Sequence, residues 1–276
     1  HLLKDKEQAI LMAEKHKTEL EAKDKDITDS LVYAKRIQEA LLPSEEYFRK
    51  HFRDSFIFYR PKDILSGDFY WIGERGGKVF IVAADCTGHG VPGALMSVIG
   101  LEIIEKTINE DNIENPSLIL DILNSELEKT FSSGKNMGGV IRDGMDIGLC
   151  MIDKQNKKLE FAGAFFPLYL IRDYRLIEIK GDKLIIGMNK HGEKYTCHVM
   201  DLKEEDMLYL FSDGYVDQFG GAENRKFMYR RFRYTLMTIH KFSMNDQKAI
   251  LEDNLINWMS GSAQVDDIMI IGIRPL

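Results

Sequence analysis

Aspartates occupy the boundaries of apolar segments in four separate parts of the sequence. They are Asp68, Asp85, Asp213 and the adjacent pair Asp266 and Asp267. Structural aspartates usually act singly, as helix caps or in turns. Several of them at the ends of predicted strands instead indicate the rim of a site for a hard divalent cation, because Mg²⁺ and Mn²⁺ prefer oxygen ligands.

The segment around Asp85 carries the strongest of these patterns. The apolar run 79–84 ends at Asp85, a glycine-rich loop follows, and an Ala/Leu/Met-rich helix begins near Pro92. The loop glycines are Gly88, Gly90 and Gly93. Such a loop lets a ligand approach the backbone closely, so either a phosphate or a metal ion would fit there. The alternative interpretation is a tight strand-to-helix turn with a capping aspartate, since short glycine motifs match by chance.

The elements that must position these residues are mostly strands. Alternating apolar segments predict strands at 56–60, around 71–72, and at 79–84, 145–152, 158–164, 168–172, 176–179, 196–199, 206–212 and 267–273. Helical periodicity predicts helices at 92–108, 116–131, 224–240 and 245–259. Strands in succession with helices inserted in pairs are typical of an α+β fold rather than of a parallel doubly wound sheet.

Residues 1–42 form a separate predicted segment, a single long helix that ends at Pro43. A heptad seam can be drawn through positions 3, 10, 17, 24, 31 and 38 and through 6, 13, 20, 27, 34 and 41, but half of the first set is polar. We therefore expect a weak coiled coil that forms a homodimer and links an upstream sensor to a domain at 43–276, since marginal packings suit switching. A solvated helix that packs only its last two turns is the alternative.

Composition limits the function classes. The chain of 276 residues is 44% hydrophobic, and its formal net charge of −7, without a basic stripe, argues against a nucleic-acid partner. Cys86, Cys150 and Cys197 form no CxxC motif, which is typical of a reducing compartment without disulfides or structural zinc. No apolar run approaches the ~20 residues of a membrane span and no signal peptide is visible, so we expect a cytoplasmic domain without membrane contact. Because the sequence starts at His1, we expect a piece of a longer protein.

Six motifs follow one another along the chain. They are Ser66-Gly67-Asp68-Phe69-Tyr70-Trp71, Ala84-Asp85-Cys86-Thr87-Gly88-His89-Gly90-Val91-Pro92-Gly93-Ala94, Asp143-Gly144-Met145-Asp146-Ile147-Gly148, Phe161-Ala162-Gly163-Ala164, Phe211-Ser212-Asp213-Gly214 and Gln264-Val265-Asp266-Asp267-Ile268. Together they resemble the bacterial metal-dependent serine/threonine phosphatases of the type 2C class, specifically the SpoIIE/RsbU-like group. The lead-in 33–43 is similar to the linker before this domain in sensor-coupled members.

The resemblance implies two stacked antiparallel sheets flanked by helix pairs, with a centre for two divalent cations, Mn²⁺ or Mg²⁺, at one end. The ligands carried over by motif are Asp68, Asp85, the backbone carbonyl of Cys86, Asp213 and Asp266, with Asp267 either a ligand or a partner of one. Two divalent cations about 3.5–4 Å apart activate a water molecule for attack on phosphorus, so no protein nucleophile is needed. The usual substrates of the group are phosphorylated STAS-domain proteins, which implies a phosphoserine/phosphothreonine protein phosphatase in partner-switching signalling.

Four further residues each have two interpretations. Arg60 and Lys62 precede the Asp68 motif and are candidates to clamp the substrate phosphate, or are solvated charges of an edge strand. His89 is a candidate general acid for the leaving oxygen, although a loop histidine bonded to the backbone is the favoured interpretation. Asp146 either supports a metal ligand or satisfies a buried turn.

One motif departs from the group's pattern. Similar proteins usually carry polar Asn or His residues where Phe165 and Phe166 stand. If those positions line the substrate approach, substrate preference or activity would change. The alternative function is therefore a catalytically weakened module that binds phosphoproteins and dimerises under an upstream sensor. Another two-metal hydrolase, such as a phosphodiesterase or a nuclease, is disfavoured by the acidic balance of the chain.

Overall fold

The computed structural model describes residues 2–52, 54–88, 90–110, 113–132, 143–189 and 192–276. The chain divides into two compact units, His1–Ala40 and Leu41–Leu276. The first unit is formed by helix α1, which runs Leu2–Leu41 as the uninterrupted segment predicts. Within the described residues, no helix combines the length and the apolar character needed to cross a membrane.

The second unit is built from strands, with helices inserted between them. Its elements are α2 (Glu45–His51), β1 (Ser55–Arg60), β2 (Phe69–Arg75), β3 (Lys78–Cys86), α3 (Val91–Asn109), α4 (Pro116–Ser132), β4 (Met145–Asp153), β5 (Lys158–Ala164), β6 (Leu168–Arg172), β7 (Arg175–Ile179), β8 (His198–Asp201), β9 (Met207–Phe211), α5 (Gly214–Asp217), β10 (Phe219–Gly220), β11 (Arg225–Lys226), α6 (Met228–Ile239), α7 (Met244–Met259) and β12 (Ile268–Ile273). Two five-stranded sheets result, in the orders β1-β12-β9-β6-β7 and β2-β3-β4-β5-β8.

The two sheets are stacked, and a helix pair covers the outer face of each. Ile81, Phe161 and Leu210 are among the buried side chains that fill the space between the sheets. Helices α3 and α4 bury their apolar faces on the sheet that contains β3, and α6 with α7 do so on the sheet that contains β9. All neighbouring strands are antiparallel. The expected α+β architecture is confirmed.

The segment before α6 departs from the sequence expectation. A helix over 224–240 is predicted, but α6 begins only at Met228, and the short hairpin of β10 and β11 precedes it. Asn224 and Met228 have φ values of 46° and 75°, which a continuous right-handed helix cannot include. The short helices α2 and α5 also have no counterpart in the sequence expectation, since one or two turns give too little periodicity to detect.

Candidate metal centre

Antiparallel pairing brings the aspartates of each sheet to one edge. In the first sheet, the end of β9 lies beside the start of β12, so Asp213 and Asp266 come from neighbouring strand ends. In the second sheet, the start of β2 lies beside the end of β3, so Asp68 and Asp85 do the same. Four distant positions of the sequence therefore converge in pairs because of the strand order alone.

A hydrogen bond from Ser212 to Asp68 joins the two sheets at this edge. The Ser212 hydroxyl donates to Asp68 Oδ2 at 2.5 Å, and its oxygen accepts the backbone N–H of Met269 at 3.0 Å. Asp68 is buried, with 1% of its surface exposed. Burial, and next the negative charge of Asp85, raise the pKa of Asp68 well above its ordinary value, although the hydrogen bond from Ser212 lowers it. Asp68 is thus a buried acid held at a fixed place.

Asp85 lies directly opposite Asp146 in the pairing of β3 with β4. Like charges at opposed positions destabilise an antiparallel pair. Burial and the charges of Asp213, Asp266 and Asp146 raise the pKa of Asp85 well above its ordinary value. Burial and the charge of Asp213 raise the pKa of Asp146 to about 6. The carboxylates of the two sheets therefore repel one another across one site, and a bound cation would relieve this repulsion.

Asp213 stands at the N-cap of α5 but makes no capping hydrogen bond with its side chain. The side chain is open to solvent on one side. Partial burial of the carboxyl, and then the charges of Asp217 and Asp266, raise the pKa of Asp213 to about 6. A capping carboxylate would accept backbone N–H groups. Because Asp213 does not, its oxygens stay available to a ligand.

Asp267 is tied to the backbone of the loop that carries Asp68. Its Oδ1 accepts the N–H of Lys62 at 2.7 Å and its Oδ2 accepts the N–H of Gly67 at 2.8 Å. Gln264 adds a second tie, because its amide donates to the carbonyls of Arg60 and Asp266 at 2.8 Å each. The start of β12 thereby holds the 60–67 loop at a fixed distance from the acidic edge.

Glycines allow the loops of this edge to approach closely. A Cβ atom on Gly93 would lie 2.3 Å from the carbonyl oxygen of Gly88, and one on Gly67 would lie 2.8 Å from the same atom. A Cβ atom on Gly214 would lie 1.9 Å from the carbonyl oxygen of Asp267. The glycine after Asp213 is therefore what lets Asp213 come next to the 266–267 pair.

The other predicted site residues occupy different surroundings. Cys86 ends β3, and its side chain belongs to the core between the sheet and α3, which raises its thiol pKa and leaves only its carbonyl for a ligand role. Arg60 and Lys62 lie next to the acidic edge, because Gln264 bonds to the Arg60 carbonyl and Asp267 bonds to the Lys62 N–H. Both residues are partly buried. His89 lies outside the described residues.

The donor set fits a hard divalent cation. The converging side chains are carboxylates, and oxygen ligands suit Mg²⁺ and Mn²⁺. In the described residues, however, no three side chains of His, Cys, Asp or Glu are already arranged to hold a metal ion. The aspartates are close enough to shift one another's pKa values, yet their oxygens are not gathered around one point.

Phe165 and Phe166 differ from each other in exposure. Phe166 is 3% exposed and packs in the core between the sheets, so it does not line a substrate approach. Phe165 is 47% exposed and has a φ of 51°. The altered motif therefore presents one aromatic side chain to solvent, not two.

Three supporting residues were missed in the sequence analysis. Ser212, Gln264 and Gly214 stand inside the motifs but are not assigned any role there. Their positions beside Asp213 and Asp266 are the only sequence signal of their function. The Ser212 hydroxyl bonds to Asp68, 144 residues away, and the Gln264 amide bonds to Arg60, 204 residues away. No local sequence pattern predicts contacts over such separations.

Comparison with known proteins gives the family. The sequence model described as Stage II sporulation protein E (SpoIIE) matches residues 75–275. The chain belongs to the SpoIIE family. The matched range includes Asp85, Asp213 and Asp266 and begins after Asp68.

Solved structures agree with the fold of this SpoIIE-family chain. The SiaA-PP2C domain of Pseudomonas aeruginosa is similar with a TM-score of 0.83 and 31% identity, over 91% of this chain and 98% of that one. The PP2C phosphatase domain of SpoIIE from Bacillus subtilis is similar in fold, with a TM-score of 0.62 and 21% identity over 80% and 61% of the chains. The two-sheet architecture is thus that of PP2C-type phosphatase domains.

One curated relative is named for an activity. Phosphoserine phosphatase RsbU of Bacillus subtilis (strain 168) is 26% identical over 212 residues, which cover 74% of this chain and 58% of RsbU. The SpoIIE-family chain therefore spans less than two-thirds of the length of that relative.

Proposed function

We propose that this chain is a Mn²⁺- or Mg²⁺-dependent phosphoserine/phosphothreonine protein phosphatase. The observation that carries the proposal is the convergence of carboxylates from both sheets on one edge, where burial and then the neighbouring negative charges raise the pKa values of Asp68, Asp85 and Asp213. Folding such an edge is unfavourable unless a cation or protons neutralise it. Membership of the SpoIIE family supports the same assignment.

The residues that would hold the cations are Asp68, Asp85, the carbonyl of Cys86, Asp213 and Asp266. When bound, a pair of divalent cations supplies a water nucleophile at neutral pH and offsets the charge of the phosphoryl oxygens. Asp267 acts as a positioning residue, since both of its oxygens already accept backbone N–H groups.

Arg60, Lys62, His89 and Asp146 complete the proposal. Arg60, which ends β1, and Lys62 have backbone groups bonded to Gln264 and Asp267, and this nearness to the acidic edge supports their role as the cations that contact phosphoryl oxygens. Asp146 faces Asp85 across the strand pair, which supports a role beside that metal ligand. His89 stays a candidate to protonate the leaving oxygen.

The proposed substrate is a phosphorylated STAS-domain protein in cytoplasmic partner-switching signalling. RsbU, a relative, is named as a phosphoserine phosphatase, which supports phosphoserine as the target. A seryl phosphate on a folded protein also suits an open edge, because Asp213 is reachable from solvent.

Helix α1 is proposed to form a parallel homodimer that controls the domain. Of the seam positions, Ile10, Leu20 and Ile27 are exposed in the single chain, at 51, 71 and 60%. Exposed apolar side chains along one helix face favour pairing with a second helix. Polar residues at other seam positions would keep the pairing weak enough to switch.

The test is Mn²⁺-dependent release of phosphate from a phosphoserine STAS-domain protein. Asp68→Asn and Asp213→Asn keep the side-chain size but remove a charged oxygen. Loss of a residue that only supports a metal ligand typically lowers activity ~10–100-fold, so loss of a ligand itself should lower turnover by more than that. Asp201→Asn is the matched control, because Asp201 is an exposed carboxylate paired with Lys158 in β8, outside the acidic edge. Its turnover should equal that of the parent.

A second arm removes residues 1–30. Turnover that appears or rises after the deletion supports control by α1, and an unchanged oligomer with unchanged activity excludes that control. No turnover with saturating Mn²⁺, with or without residues 1–30, would leave the phosphoprotein-binding module as the better account.

A further inference from the structure

A groove of about 1000 Å³ runs between α6 and α7, on the outer layer of the first sheet. One side is formed by position 227, just before α6, and by positions 228, 230, 231, 234, 235 and 238, which recur at helical spacing along α6. The other side is formed by 250, 254, 257 and 258 on α7. Eleven residues of helix extend about 16 Å, so the groove would accept roughly three turns of a second helix or about five residues of extended chain.

The groove combines apolar surface with positive charge. Tyr234 and Met228, which both line the groove, are 75 and 53% exposed, so the groove presents large apolar side chains to solvent. Arg230 and Arg231 stand on the same side, and none of the lining residues is acidic. Helix α6 as a whole carries three arginines and no Asp or Glu, in a chain whose net charge is −7.

Arg231 is preorganised, and Arg230 is not engaged. The Arg231 guanidinium lies over the Trp258 ring at 4.6 Å and donates to the carbonyl of Phe227 at 3.1 Å, which fixes it across the groove. In the described part of the chain, the Arg230 side chain forms no ion pair or hydrogen bond, and it is exposed. A preorganised cation and a free one, side by side, suit a carboxylate-bearing ligand.

Gln218 connects the groove to the acidic edge. Its carbonyl accepts the backbone N–H of Phe227 at 2.9 Å and the indole N–H of Trp258 at 3.0 Å, and both of these residues line the groove. Its side-chain amide accepts the N–H of Val265 at 3.1 Å and donates to the carbonyl of Ala263 at 2.9 Å. One fully buried residue thus contacts the groove floor and the segment that leads into Asp266.

We propose that the α6–α7 groove is a docking site for an acidic amphipathic segment of the phosphoprotein substrate. The inference rests on the proposed phosphatase function and adds to it the chemistry by which a substrate is chosen. Carboxylates of the segment would pair with Arg230 and Arg231, and its apolar side chains would cover Tyr234 and Met228. Docking beside the metal centre would raise the local concentration of the phosphoseryl group there.

A second copy of this chain fits the groove less well. A two-fold contact through α6 would set two copies of the same arginine-bearing face, which has no acidic lining residue, against each other, because such interfaces use the same patch on both subunits. Like charges brought together this way oppose association. An acidic partner meets no such repulsion.

The test uses a variant that touches only exposed groove positions. Arg230→Glu combined with Tyr234→Ala should lower kcat/KM toward a phosphoserine STAS-domain protein by about tenfold, mostly through KM, because steering and docking are lost. Turnover of p-nitrophenyl phosphate, which has no segment to dock, should stay unchanged. Arg175→Glu is the matched control, since Arg175 is an exposed arginine of β7 outside the groove. It should leave both substrates unaffected.

A binding measurement separates this inference from the phosphatase proposal. The probe is a 14-residue helical peptide of Glu and Leu, titrated into the full chain while tryptophan fluorescence is recorded. Trp258 lines the groove, and the second tryptophan, Trp71, is buried, so a change reports groove occupancy. The peptide should quench or shift this emission in the parent and in Arg175→Glu, and much less in the groove variant. A matched Lys/Leu peptide should not bind.

Each outcome has one meaning. Equal peptide binding by parent and groove variant, or equal kcat/KM toward the phosphoprotein, overturns the docking site even if the chain is an active phosphatase. Peptide binding that requires Arg230 and Tyr234 in a chain without Mn²⁺-dependent turnover supports the docking site and contradicts the phosphatase. Self-association of the parent that the groove variant abolishes, with no peptide binding, would assign the groove to a second copy and overturn the inference.

Discussion

At the scale of single residues, the acidic edge contains two kinds of aspartate. In the described part of the chain, Asp68 and Asp85 form no ion pair with Lys or Arg, and burial raises their pKa values. Asp267 differs, because two backbone N–H groups already satisfy its oxygens. A bound cation would neutralise Asp68 and Asp85 and so stabilise them. Asp267 holds the 60–67 loop in place whether or not a cation is bound.

Asp267→Asn should destabilise the metal-free chain. The replacement offers one carbonyl oxygen and one NH₂ group, so either Lys62 N–H or Gly67 N–H loses its acceptor and faces a donor. An unsatisfied buried donor costs about 1–3 kcal/mol. Chemical denaturation in the presence of a chelator measures the change in the free energy of unfolding.

Asp213→Asn is the matched substitution for Asp267→Asn. Its carboxylate makes no capping hydrogen bond and faces solvent, so the metal-free chain should lose no stability. Equal destabilisation by the two replacements would show that Asp267 is not a tie between β12 and the 60–67 loop.

At the scale of elements, contacts between backbones set the geometry of the edge. The start of α5 touches the chain just before β12, and the loop before β2 touches the loop before α3, in both cases where glycines leave no side chain between them. Rigid strands on each side then hold the aspartates without any long side chain reaching across.

Gly214→Ala should separate Asp213 from Asp266. Its Cβ atom would lie 1.9 Å from the carbonyl oxygen of Asp267, and backbone cannot yield as a flexible side chain can. We expect a loss of about 1–3 kcal/mol in the free energy of unfolding and weaker Mn²⁺ binding by calorimetry.

Gly100→Ala provides the comparison within helix α3. Its Cβ atom would meet only the ends of Met145 and Phe69, at 3.0 and 3.1 Å, so a small shift accommodates it. Unchanged Mn²⁺ affinity in both variants would contradict the claim that the Gly214 contact positions Asp213.

The strands and the aspartate positions could be predicted from the sequence, because alternation and strand ends are local patterns. The predicted strand 158–164 matches β5, and Asp85 and Asp213 do lie at strand ends. The hairpin of β10 and β11 could not be predicted, since it depends on contacts such as Gly221 N–H to the Trp258 carbonyl at 2.8 Å. The tie through Asp267 joins residues 205 and 200 positions apart, beyond any sequence window.

At the scale of the whole molecule, the carboxylates that would bind cations lower the stability of the metal-free fold. A carboxyl whose pKa is higher in the folded than in the unfolded chain takes up a proton on folding, so the free energy of unfolding falls as pH rises between the two values. For Asp146 and Asp213 that interval runs from 3.8 to about 6. Above it, Asp146 and Asp213 are ionised and the metal-free fold carries their repulsion, which a divalent cation should relieve.

The most direct measurement is the thermal unfolding midpoint with and without Mn²⁺, between pH 5 and 7.5, for the parent and for Asp85→Asn. Mn²⁺ at a hundredfold excess over Kd should add about 2.7 kcal/mol to the parent, more at pH 7.5 than at pH 5 because protons no longer compete. In the chelated state, Asp85→Asn should unfold at a higher temperature than the parent at pH 7.5, and Mn²⁺ should stabilise it far less. Equal stabilisation of both chains by Mn²⁺, or none at any pH, would contradict the assignment of this edge as a metal centre.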